Sequence, residues 1–127
     1  PPSTPLTAIT HDGFIMSVGK NNYQNDLLTF KQSQPDDIWL HAKDIPGSHV
    51  ILRTGKQNAT PEALKEAAQL AAYFSKARYS ANVPVDYTKR RYVKKPAGAK
   101  PGFVIYDHHS TIYVTPDENI VKLMLKK

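Results

Sequence analysis

The stretch TPEALKEAAQLAAYFSKAR, Thr60 to Arg78, constrains this chain most, because it is the only long run with a sustained helical pattern. Leu64, Ala67, Ala68, Ala71, Phe74 and Ala77 recur three and four residues apart and give one apolar stripe rich in small side chains, able to lie close against a sheet. Thr60 reads as an N-cap, Pro61 sits at the first helical position where its missing N–H costs nothing, and Glu62 lies near the positive end of the helix dipole. The helix is expected to end near Tyr79 to Asn82, before Pro84.

Everything around it is short and β-prone: GFIMSVG (13–19), LLTFK (27–31), DIWLHA (37–42), SHVILR (48–53), FVIYD (103–107) and TIYVT (111–115), each bounded by Gly, Pro, Asn or Asp. GKNNYQND reads as a polar turn, DHHS as the close of a last hairpin, and Pro46-Gly47 as the centre of a type II turn. One helical stripe and about six short strands predict an α+β fold. It is a single domain whose mostly antiparallel sheet carries one main amphipathic helix on one face. At 127 residues the chain can bury one core and not two. Residues 1–9, opening PPSTP, read as the end of a linker from a longer protein. Residues 10–116 form the domain, and 117–127 a tail or short docking helix.

With no cysteine, a disulfide scaffold, thiolate metal sites and a cysteine nucleophile are excluded. No run approaches the length of a membrane span or marks a signal peptide, so membrane insertion is not expected and a cytoplasmic location fits. His41, His49, His108 and His109 stand without an HExxH pair, and no nucleophile elbow or phosphate loop occurs. Neither a metal, another cofactor nor a catalytic residue is therefore assigned. Asp36, Asp37 and Asp44 read more simply as caps on backbone N–H groups at turns than as acid–base partners of His49.

The net charge of +6 points to a polyanionic partner if the cations cluster. They do: KRRYVKKPAGAK, Lys89 to Lys100, holds six of the seventeen Lys and Arg residues, no acid, and Tyr92 among them. A run of this kind is either a solvated edge or a phosphate-binding surface. In DIWLHAKDIPGSHVILR alternate residues share a strand face. If Ile38, Leu40, Val50 and Leu52 face the helix, then Trp39, His41, His49 and Arg53 share the other side. The expectation is a partly exposed aromatic and cationic platform on which a base stacks; the alternative is that Trp39 is core, and periodicity does not decide between them.

Taken in order, DGFIMSVGKNNYQND, DIWLHAKDIPGSHVILR, EAAQLAAYFSKAR, VPVDYT and YVKKPAGAKPGFVIY resemble the NFACT RNA-binding domain, the C-terminal domain of bacterial ribosome quality-control factors also described as fibronectin-binding proteins. The resemblance runs from about Thr10 to Pro116 and includes the Ser75-Lys76-Ala77-Arg78 block. It implies a parent protein that binds tRNA and the RNA of the obstructed large ribosomal subunit during template-free alanine tailing. The family's tRNA-selecting acid and arginine lie in an N-terminal domain absent from these residues, so this domain is expected to bind and not to elongate. The residues expected to touch RNA are Lys20, Asn21, Asn22, Trp39, His41, Lys43, His49, Lys94, Lys95 and Lys100. The alternative reading is an adhesin that binds fibronectin at the cell surface, with strand addition at a sheet edge as its natural mode.

Overall fold

The computed structural model describes residues 4–125, so the linker residues Pro1 to Ser3 and the last two lysines lie outside the described residues. In chain order the elements are β1 (Leu6–Ile9), β2 (Ile15–Val18), α1 (Asn22–Lys31), β3 (Ile38–Ala42), β4 (Val50–Leu52), α2 (Pro61–Tyr73), β5 (Val83–Lys89), β6 (Val93–Lys94), β7 (Ile105–Tyr106), β8 (Ser110–Val114) and α3 (Glu118–Leu125). Six strands form one antiparallel sheet in the order β1-β2-β4-β3-β5-β8, and β6 and β7 form a separate two-stranded ribbon. The expected α+β class and six-stranded antiparallel sheet are observed.

The alternation expected of the central hairpin holds. Leu40 pairs with Val50 and Trp39 with Ile51, so Leu40, Val50 and Leu52 meet α2 while Trp39 and Ile51 point the other way. On the α2 side Ala63, Ala67, Ala68, Ala71 and Ala72 are fully buried, and their small side chains let the helix lie close on Met16, Val18, Leu40 and Val85. α3 extends this layer: Val121 and Met124 are buried in the same core, which makes the C-terminal segment a docking helix.

Several local expectations are corrected. Leu6–Ile9, assigned to a linker from its proline-rich surroundings, is the edge strand β1, with Ala8 buried. GKNNYQND and LLTFK are not turn and strand but mostly α1: Asn21 caps it by accepting from the Gln24 backbone N–H at 2.9 Å, and Gln24 Oε1 accepts from the Lys20 N–H at 2.8 Å. Two side chains thus satisfy backbone donors at the start of a helix whose first turn is polar. α2 stops at Tyr73 because the chain leaves it to pair elsewhere: Ser48 N–H donates to Phe74 O, Lys76 N–H donates to Pro46 O, and Arg78 Nε donates to Tyr73 O. Pro46-Gly47 does not form a type II turn, since the left-handed residue of this loop is Asp44 (φ 56°). Gly47 is needed for closeness, because a Cβ there would lie 2.9 Å from Ser75 Cβ. DHHS does not close a hairpin either, as β7 pairs with β6 while β8 pairs with β5.

Candidate nucleic-acid interface

The side of the sheet facing away from α2 is covered. α1 and the ribbon close over it, and Leu28, Trp39, Ile51 and Val93 form a second core flanked by Phe30, Val104 and Tyr106. Trp39 is 0% exposed and His49 1%, which overturns the expectation of an open platform. The face assignment was sound, but a second layer lies on it. His49 holds that layer in place: its Nδ1 accepts from Thr29 Oγ1 on α1 at 2.9 Å, and its Nε2 donates to Gly102 O at 3.2 Å, the tautomer that satisfies both nitrogens. Burial, helped by neighbouring His41, pushes the His49 pKa down to about 3, so the ring is neutral.

The basic segment is likewise divided. Lys95 points inward, 3.1 Å from Asp26 Oδ2, and its ammonium also donates to Phe103 O and Lys100 O. Asp26 Oδ1 accepts from the Gly102 N–H at 3.0 Å, so Pro96 to Gly102 is pinned to α1. The expectation that Lys94, Lys95 and Lys100 share a solvent-facing patch fails at Lys95, because its ammonium is the loop's internal tie. Lys89 and Arg91 pair with Asp36, and Arg90 donates to Thr29 O while lying over Phe30. Within this run, only Lys94 and Lys100 are exposed and outside the described ion pairs.

Lys43 is half exposed and pairs with Asp86 at 3.5 Å. Burial raises the Asp86 pKa, but hydrogen bonds from Tyr106 and Thr111 and the Lys43 charge outweigh it and hold the carboxyl below its ordinary value. Of the three aspartates expected to cap backbone, Asp37 does, accepting from the Gln34 and Gly55 N–H groups, whereas Asp36 pairs with Lys89 and Arg91 and Asp44 caps no described N–H.

An open groove of about 600 Å³ lies where three separated segments meet, 18–25, 46–48 and 74–78. Gly19 allows a close approach, since a Cβ there would sit 2.1 Å from Asn25 Oδ1, and that oxygen accepts from the His49 N–H, just past the second segment. Lys20, Asn21, Asn22, Lys76 and Arg78 line the groove, and no acidic residue does. Lys20 and Lys76 are exposed and belong to no described ion pair, while Arg78 stacks 4.0 Å over the Tyr73 ring. The start of α1 lies at the same place, with Asn21 and Asn22 on the groove wall, so the positive end of its dipole adds partial positive charge. Of the ten residues expected at RNA, the structure therefore brings Lys20, Asn21 and Asn22 together here, and leaves Lys94 exposed on β6 and Lys100 exposed on the Pro96 to Gly102 loop; His41 is half-buried beside Trp39. Lys76 and Arg78, which share this groove, are not among those ten. The signal available was the basic SKAR block immediately after the apolar stripe.

An α+β domain with an acid-free basic groove at a capped helix start is suited to polyanions. The sequence matches the NFACT protein RNA binding domain over residues 5–108, and the chain belongs to that family. It is 57% identical over 115 residues to the Rqc2 homolog RqcH of Bacillus subtilis (strain 168), covering 91% of this chain and 20% of that protein. The Streptococcus suis (strain 05ZYH33) Rqc2 homolog RqcH is 52% identical over 110 residues, covering 87% and 20%. A solved structure of the C-terminal part of the fibronectin/fibrinogen-binding protein from Streptococcus suis superposes with TM-score 0.94 at 48% identity, covering 98% of this chain and 50% of that one. The chain thus spans about a fifth of the length of these two RqcH relatives.

Proposed function

We propose that this domain grips RNA by its backbone in the groove between Lys20 and Arg78, as the RNA-holding part of a ribosome quality-control factor that meets tRNA and large-subunit RNA during alanine tailing in the cytoplasm. The observation that carries the reading is the convergence of Lys20, Lys76 and Arg78 with the start of α1 in one groove without a carboxylate. Unpaired cations beside open space neutralise phosphates and release counterions, whereas cations already paired with Asp26 or Asp36 gain little. The asparagine side chain of Asn22, exposed at the rim, adds a hydrogen-bonding group for sugar or phosphate. The domain binds and orients; elongation chemistry belongs to other parts of such a factor.

The test is a fluorescence-anisotropy titration of labelled deacylated tRNA, with a fibronectin fragment in parallel, at several salt concentrations. Saturable tRNA binding whose log affinity falls linearly with log salt supports the reading. Binding to fibronectin with none to tRNA would replace it with the adhesin reading.

A further inference from the structure

A second cavity, about 320 Å³, opens on the far side of Pro46 from the groove, and Pro46 lines both. Its volume is at the small end of the range of about 300–1,000 Å³ typical of small-ligand sites. Its walls are aromatic. Trp39 and His41 stack with ring planes 10° apart, and Tyr106 leans on Trp39 with centroids 4.6 Å apart. Phe103, 56% exposed, stands at the mouth, held by the Lys95 ammonium on its carbonyl.

Two residues that line this cavity carry a polar group without a described partner. Trp39 Nε1–H is buried with no hydrogen-bond acceptor, the one such buried side-chain atom among the described residues. A buried donor left unpaired is a rare and costly feature that calls for a missing acceptor. Asp44, at the mouth in the left-handed region (φ 56°), is exposed, and its carboxylate enters no described hydrogen bond or ion pair. Lys100, also outside the described ion pairs, lies on the pinned loop that supplies the Gly102 wall.

We propose that this cavity takes one unstacked nucleobase of the RNA strand whose backbone lies in the groove, and that it favours bases carrying an exocyclic amino group. The inference rests on the RNA-binding reading and adds a base-reading site to it. The base stacks against Phe103 and His41, as single-stranded RNA does on aromatic platforms. Its amino group donates to Asp44, as an acidic side chain accepts from cytosine N4, and a ring nitrogen or carbonyl accepts from Trp39 Nε1–H once the Phe103 and His41 rings part. Uracil offers no amino donor. In reaching the cavity the strand crosses Pro46, the shared wall.

Trp39 is the only tryptophan of the chain, so its emission reports this cavity alone. The experiment titrates the protein with short oligo(C), oligo(A) and oligo(U) RNA, reading tryptophan emission and, with labelled RNA, anisotropy. The expected result is a saturable change in Trp39 emission with oligo(C) and oligo(A), with oligo(U) bound severalfold more weakly. Phe103→Ala weakens oligo(C) and oligo(A) roughly fivefold or more, and Asp44→Asn, which keeps a side chain tolerant of left-handed φ, brings the three RNAs closer together. Anisotropy showing equal binding of all three, with Trp39 emission unmoved and both variants indifferent, would overturn the base site and leave the groove reading standing. No binding of any RNA would overturn both.

Discussion

The two faces of one sheet are built from different materials. Against α2 lie alanines, valines and leucines joined mainly by packing, with hydrogen bonds at the exposed rim, such as His11 N–H to Glu66 and Gln69 to Thr115 O; between the sheet, α1 and the β6–β7 ribbon lie Trp39, His49 and Tyr106, joined by buried and part-buried hydrogen bonds and an ion pair as well as by packing. The first face carries its own explanation in a stripe of small residues. The second is assembled from Thr29, His49, Asp26, Lys95 and Gly102, distant in sequence, and its polar ties fix where a functional loop sits. Aromatic and cationic side chains are thus no guide to a nucleic-acid surface until their partners are known: Lys95 and His49 brace, while Lys20 and Lys76 stand free.

The largest way to break this comparison is Trp39→Ala. If the α1-side layer is a real core, the substitution costs about 3–5 kcal/mol in a denaturant titration, comparable with Leu40→Ala on the other face at about 2–5 kcal/mol. A near-silent Trp39→Ala would mean that the layer contributes little and opens readily. Next comes Asp26→Ala, which removes the acceptor of the Gly102 N–H and the carboxylate partner of the Lys95 ammonium and is expected to cost about 1.5–3 kcal/mol. Hydrogen exchange at the Gly102 amide should accelerate in that variant, and unchanged protection would show that the loop is held by something else.

A pH titration sharpens the contrast further. In the folded state His49 stays neutral down to about 3, whereas in the unfolded chain it protonates below about 6.5, so acid favours unfolding. Its contribution is intact above about pH 6.5 and is lost as pH falls towards 3, at about 1.4 kcal/mol per pH unit, or about 2 kcal/mol between pH 7.5 and 5. His41, whose pKa burial also lowers, acts in the same direction. Denaturant midpoints that do not fall over this window would show that water reaches the histidines.

Much of this was legible beforehand, for reasons that differ by element. α2 announced itself through Thr60, Pro61 and its alanine stripe, and the strand faces followed from the alternation of Ile38 to Ala42 and Val50 to Leu52. α1 was hidden because its apolar positions are few and its first turn is polar, although Asn21 and Gln24 three residues apart form a start signal. With α1 unseen nothing was available to cover Trp39, and the platform expectation followed. The groove was legible only as separate sequence blocks, since the Asn25 Oδ1 tie to the His49 N–H and the approach of Gly47 to Ser75 join distant segments that periodicity does not encode. The role of Lys95 was equally out of reach, because a lysine in a basic run looks the same whether or not an aspartate from α1 lies beneath it.

The central claim, that free groove cations hold RNA while braced ones hold the fold, is tested most directly by Lys20→Ala combined with Lys76→Ala in a salt-dependent tRNA titration, with thermal melting alongside. Stability should change by no more than about 0.5 kcal/mol per site, as for ordinary surface substitutions. Affinity should fall severalfold or more, and the slope of log affinity against log salt should lose about 0.7–0.9 in magnitude for each phosphate contact removed. An unchanged affinity and an unchanged slope in the folded double variant would contradict the account.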